Sequence, residues 1–175
     1  MACIQTLAGI VRDCLNSMGG IVEVLLANKA EVTAAVTSGK VTSITMASSA
    51  KFHRYQFAPE TASMSSNWQV NAANGTRFVQ TDLVMVFNRM ETAKRAEIMA
   101  MAQSELVAIV KDANGVYWVL GYDEPLLLSA GDALTGTARA DRNGYSATLQ
   151  DNSLELPFEV LVGTGGVDLD SIVAE

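Results

Sequence analysis

The chain is short of the side chains that usually perform chemistry: it holds one histidine, two cysteines and three prolines in 175 residues. A general base needs a partner within hydrogen-bond reach, and no Gly-x-Ser-x-Gly elbow or cysteine signature accompanies His53. His53 reads as an ordinary sheet or interface residue beside Phe52 and Tyr55, and an enzyme is not expected. Cys3 and Cys14 match no zinc or redox spacing, so they read as structural or incidental thiols, with a disulfide the lesser alternative.

Basic charge is also scarce. Twelve Lys and Arg stand against nineteen Asp and Glu, a net charge of −7. That balance argues against a nucleic-acid footprint and sequence-specific DNA reading. An acidic wall nevertheless keeps passing phosphates at a distance within a Debye length.

Long hydrophobic runs are missing. No stretch approaches the roughly 20 apolar residues that span a bilayer, so a soluble protein is expected. The opening residues carry no basic n-region and Arg12-Asp13 interrupts any signal-peptide core, so cleaved export is not expected. Leu7-Ala8-Gly9 resembles the start of a lipobox, but Ile10 occupies the acylated position.

Acidic and glycine-rich motifs fall short of their functional forms. Asp168, Asp170 and Glu175 lack the remaining ligands of an EF-hand loop and read as a helix cap or solvated tail. Gly163, Gly165 and Gly166 are followed by acids rather than by Lys-Ser/Thr, so they suit a flexible linker better than a phosphate cradle. Neither cofactor nor metal is expected.

What the chain does have is β-hairpin signal. Asn114-Gly115 joins two strand-like runs, 106–110 and 116–120, and Asn143-Gly144 is expected to join 136–140 to 145–149, each through a type I′ turn. Further strands are expected at 21–27, 41–46 and 52–57, with a helical turn within 29–37. The polar stretch 59–76, with Trp68 inside it, reads as a projecting hairpin or loop around Asn74-Gly75 that needs a partner surface. Leu83 to Phe87 is near-continuously apolar and reads as a strand covered on both faces.

One helix is expected from about Glu91 to Gln103. Asn88 is its cap, Glu91 and Arg95 form an i,i+4 pair, and an apolar side including Ile98 packs across the sheet. Residues 1–20 read either as a weak helix or as an arm that orders on a neighbour, and 163–175 as a C-terminal tail. Asp141 and Arg142 have two readings, turn chemistry or subunit contact. Tyr117 and Trp118 take opposite faces of their strand. With no internal repeat or long linker, residues 1–175 read as a single domain, mainly β with one flanking α-helix.

Several segments together resemble the major tail tube and related tail structural proteins of tailed bacteriophages, particularly those of Bacteroides-type hosts. They are Arg12-Asp13-Cys14 with Met18-Gly19-Gly20-Ile21, Ala93-Lys94-Arg95-Ala96-Glu97-Ile98, Asp112 with Asn114-Gly115 and Tyr117-Trp118-Val119-Leu120-Gly121, and Gly136-Thr137-Ala138 followed by Asp141 and Asn143-Gly144-Tyr145.

The resemblance implies a β-sandwich or barrel-like fold and hexameric rings stacked into a hollow tube for genome ejection. It further implies a place in the virion tail after synthesis in the host cytoplasm. Partners would be copies of the chain itself, tape-measure and terminator proteins and, in contractile tails, a sheath; DNA would pass without sequence-specific binding. Expected interface residues are Ser63, Met64, Trp68, Val70, Asp141 and Arg142, and expected lumen acids are Glu23, Glu60, Asp82 and Glu155. A head-tail connector, another capsid-associated structural protein and a monomeric carbohydrate-binding sandwich are the alternatives.

Overall fold

A computed structural model describes residues 8–12 and 16–174. Cys3, Cys14 and Glu175 lie outside them, so the readings of the thiols and of the last carboxylate do too. The chain begins with strand β1 (Ile21–Asn28), a 3-10 turn (Lys29–Glu31), β2 (Val32–Thr37), β3 (Lys40–Met46) and β4 (His53–Gln56). The long hairpin β5 (Ala62–Asn71) and β6 (Thr76–Asn88) follows, then helix α1 (Thr92–Met101). The remainder is β7 (Leu106–Asp112), β8 (Tyr117–Leu120), β9 (Leu127–Leu134), β10 (Gly144–Ser153), β11 (Phe158–Val160) and the short helix α2 (Leu169–Ile172). No helix among the described residues is long and apolar enough to cross a membrane.

Two sheets form a β-sandwich-like fold. The large sheet has the order β2-β3-β11-β8-β7-β1-β4 and the small one β5-β6-β10-β9. Between them lies one core, with Val24, Leu26, Ala108, Val110 and Leu120 from the large sheet against Leu83, Met85, Ala147 and Leu149 from the small. A second core covers the other face of the large sheet, where Leu25, Val41, Phe52, Val107, Ile109 and Val119 meet Val167, Ile172 and Val173. Each fully buried aliphatic side chain here is worth about 1.5–3 kcal/mol relative to exposure.

Burial on both faces therefore belongs to β1, where Val24 to Ala27 are all buried, and to β7, where Leu106 to Val110 are. This corrects the expectation for Leu83 to Phe87. Along β6, buried Val79, Thr81, Leu83 and Met85 alternate with half-buried neighbours, so that strand has one core face and one outer face.

Two turns differ from their expected form. Ser38 and Gly39, both at positive φ (54° and 77°), make the two-residue link between β2 and β3, the I′ geometry that splices twisted strands without splaying them. This hairpin replaces the helical turn expected up to Thr37, of which only the 3-10 turn forms. At Asn114-Gly115 only Gly115 has positive φ, its amide donates to the Asp112 carbonyl at 3.1 Å, and the Asp112 carboxylate accepts from the amides of Asn114 and Val116. The link is a type I turn followed by a left-handed glycine.

Residues 136–140 are not a strand; β9 is the partner of β10, and 135–143 is their loop. Asn143 instead accepts the Arg89 amide at its carbonyl and the Met90 amide at Oδ1, tying this loop to the corner before α1. Asn88 ends β6, and Glu91 precedes the helix without a side-chain capping bond. Glu91 pairs with Arg89 and Lys94, not with Arg95. Only Met101 of α1 is buried, and Ile98 is half-buried: the helix lies at the border of the core rather than across the β6 strand.

The C-terminal tail is also built into the fold. Phe52 donates its amide to the Ile172 carbonyl at 2.8 Å and accepts from the Ala174 amide at 2.8 Å, so 167–174 closes the second core instead of extending into solvent. At the other end, residues 8–12 and 16–19 are exposed and without regular structure, with Met18 held through two backbone bonds to the Asn114 amide side chain.

Candidate assembly surface

Among the described residues the small sheet is open at both edges, because β5 and β9 each have one strand neighbour. The β5–β6 hairpin also outruns its sheet. Pairing of β6 with β10 stops at Val79↔Ser153, whereas pairing with β5 continues through Gln69↔Phe78 to Asn71↔Thr76. Beyond Val79 the hairpin is two-stranded, a form that is marginal in water without further packing. The turn 72–75 is locally satisfied, since Asn71 Oδ1 accepts from the Ala73 amide and Asn74 Oδ1 from the Thr76 amide.

Register assigns the faces of this hairpin. Met64 opposes Leu83, Ser66 opposes Thr81, Trp68 opposes Val79 and Val70 opposes Arg77, so these β5 side chains share the core-facing side. Met64 is half-buried there, but Trp68 and Val70, farther along, are 51% and 61% exposed. Ser63 lies on the opposite, outer face, with Ser65, Asn67 and Gln69.

That outer face continues across the sheet as Phe78, Gln80, Asp82, Val84 and Val86 of β6, Ser146, Thr148, Gln150 and Asn152 of β10, and Leu127, Ala130, Asp132 and Leu134 of β9. Uncharged polar groups form it on β5 and β10, while Val84 and Val86 of β6 and the exposed Leu127 and Leu134 of β9 are apolar members. Asp82 accepts from Gln150 at 2.7 Å and Gln80 at 3.3 Å, and Asp132 pairs with Arg142 at 2.6 Å. No lysine or arginine belongs to these outer-face positions of the four strands.

The remaining expected residues are dispersed. Asp141 accepts the Ala138 and Thr137 amides at 2.7 and 2.8 Å, which hold its carboxyl below the usual carboxylate range and establish its turn role. Arg142, from the same loop, is directed to Asp132 within its own chain. Of the four acids, only Asp82 lies on the outer face of the small sheet. Glu23 pairs with Arg54 on the large sheet at 3.1 Å, Glu60 occupies a positive-φ turn, and Glu155 follows β10. His53 begins β4 and is exposed, near the Tyr55 hydroxyl that donates to Glu97 at 2.9 Å; burial, then Glu97, pushes the tyrosine pKa up.

Pattern reading missed Asp151 and the groove beside β9. Asp151 is 4% exposed at the end of the inter-sheet core; its Oδ2 accepts the Gly121 amide at 2.8 Å, while Oδ1 has no partner. Desolvation pushes its carboxyl upward, with Asp123 adding to the shift and the Gly121 amide and Thr81 opposing it. The carbonyls of Gly121 and Tyr122 accept from Lys29, whose pKa burial lowers against the pull of Asp123, Glu124 and Asp151. The alternation of β10 placed Asp151 on its core face, which is the signal that was available. No group of three His, Cys, Asp or Glu residues able to hold a metal occurs among the described residues.

The groove lies between α1 and the open β9 edge. Met90, Ile98, Met99, Leu128, Ala133 and Tyr145 line most of its ≈400 Å³, with Arg95 and Asp132 among its charged residues. Comparison with protein-family models, curated proteins and solved structures gives no match to this chain.

Proposed function

We propose that this protein is a phage tail structural subunit that assembles into rings and, by stacking of rings, into the tube through which the genome leaves. The observation that carries this reading is the small sheet, which has two open edges and an outer face whose strand positions hold no Lys or Arg and are most often Ser, Thr, Asn or Gln. Its strands are antiparallel throughout and even in number, so β5 and β9 run in opposite directions. A neighbour related by rotation about a ring axis would bring its β5 antiparallel to β9. The alternation then continues from copy to copy and ends when the ring closes, which removes both edges.

In such a ring the outer face of each small sheet lines the lumen. The outward positions of its strands carry no cation, the Arg142 guanidinium that reaches Asp132 there is held in an ion pair, and the chain's net charge of −7 adds general repulsion. Tape-measure and terminator proteins, and a sheath in a contractile tail, are the partners this role requires. Function as a conduit rather than as an enzyme follows from the same reading.

Negative-stain microscopy and sedimentation of the purified chain at milligram-per-millilitre concentration test it. Rings or tubes are expected; a single-subunit species at every concentration would remove the assembly reading and favour a monomeric binding module.

A further inference from the structure

We propose that Trp68 of one copy seats in the groove between α1 and β9 of the next copy, anchoring the ring interface. This rests on the assembly reading above and adds the residues that hold it. Trp68 opposes Val79 on the core-facing side of the small sheet, and Leu128 and Ala133 oppose Leu149 and Tyr145 on that same side. Within one chain they stand at opposite edges of the sheet and cannot meet. When a second copy adds its β5 to β9, the core-facing side chains of that strand project toward the side occupied by α1. Because Trp68 is level with Ser153, four residues along β10 from the Leu149–Leu128 pair, its seating requires a stagger between copies of at least that much, of the kind that strand tilt imposes on a closing sheet.

Size and chemistry agree with that placement. Trp68 is 51% exposed, and the groove of ≈400 Å³ is lined by Ile98, Met99 and Leu128, flexible and aliphatic partners for an indole. Residues 62–71 carry no charge, so the approaching strand meets Arg95 and Asp132 without a like-charge penalty, and Asp132 already has Arg142 as its partner. An aromatic anchor in an apolar pocket beside main-chain pairing supplies what the uncharged strand lacks, a reason to stop at one register.

The test replaces Trp68 by the photoreactive aromatic p-benzoylphenylalanine, irradiates the assembled protein and maps the cross-links by mass spectrometry. Expected is an inter-copy link to residues 96–102 of α1 or to Leu128. Assembly with cross-links confined to other surfaces overturns the anchor while leaving the ring reading intact; absence of any assembly of the unsubstituted chain overturns both. As a second arm, Met99→Asp changes an exposed helix position, so its thermal midpoint should stay unchanged. The concentration needed for half-assembly should rise at least about tenfold. Assembly of Met99→Asp at the original concentration would remove the groove from the interface.

Discussion

The Gly121 amide donates to Asp151 Oδ2 at 2.8 Å, and the Gly121 carbonyl in turn accepts from Lys29 Nζ at 2.8 Å. The backbone of one residue thus links a buried carboxylate at the end of the small sheet to a half-buried ammonium after β1. The link leaves Asp151 Oδ1 unpartnered inside the protein, an arrangement that costs stability while the carboxylate is charged.

Desolvation raises the Asp151 pKa above its unfolded value, so the folded chain holds this proton more tightly. The cost is therefore fully present above the folded pKa and is relieved as pH falls through it toward the ordinary carboxylate value of about 4. Asp151→Asn should be more stable than the parent at pH 7 by on the order of 1 kcal/mol, and the advantage should shrink toward pH 4. Urea unfolding of both proteins across that range measures the difference; a constant difference would mean that charge is not the source.

The two ends of α1 should respond unequally to truncation. Met101 is buried in the inter-sheet core, so Met101→Ala should cost about 2–5 kcal/mol. Ile98 is only half-buried at the groove, and Ile98→Ala should cost about 1 kcal/mol, near the ordinary value for a point substitution. Equal losses in chemical denaturation would place the helix deeper in the fold than its exposure indicates.

Local and long-range information separate at this helix. An apolar side including Ile98 identified it, but which residue enters the core depends on how β6, β9 and β10 converge, and periodicity carries no such distance. The hairpins at Asn74-Gly75 and Asn114-Gly115 were readable because their turns are local. Asn143-Gly144 misled because its asparagine serves Arg89 and Met90, far away in sequence. The fate of the tail depended on the Phe52↔Val173 bridge, a contact that no pattern within 163–175 announces. For the candidate assembly surface, the hairpin around Asn74-Gly75 was legible as a hairpin; the groove was not, since it is assembled from α1, β9 and β10.

The Ser38-Gly39 turn gives a test of local geometry alone. Gly39 has φ of 77° and an added Cβ would meet nothing within 4 Å, so Gly39→Ala isolates the backbone penalty. A loss of about 1–2 kcal/mol is expected from that left-handed position. Ser38→Asn, which suits positive φ better, should raise stability slightly. Thermal unfolding of the two variants should therefore move in opposite directions.

Shortening the hairpin should separate folding from assembly. Residues 69–78 pair only with each other, outside the third-strand contact that ends at Val79. Replacing 69–78 by an Asn-Gly turn removes the free tip and leaves Leu83 and Met85 in place. The shortened chain should keep a cooperative thermal transition and lose the ability to form rings in sedimentation. Normal rings would show that the tip contributes nothing to association.

The outer face of the small sheet makes a charge prediction. Gln80, Thr148 and Asn152 lie on that face, away from both edges, so lysine at all three positions changes its electrostatics without touching the strands that would pair between copies. The assembled parent should show no appreciable retention of double-stranded DNA at moderate salt, because its face offers hydroxyls, amides and the carboxylates of Asp82 and Asp132. The triple variant should retain DNA, with log affinity falling against log salt by about 0.9 for each phosphate neutralised. If the lysines lie in the lumen, a duplex longer than the tube should protect them from amine-reactive labelling as it threads the assembly, while exposed Lys51, in the loop between β3 and β4, remains reactive. Equal labelling of both classes with DNA bound would put the face on the outside and defeat the conduit reading even for a ring that forms.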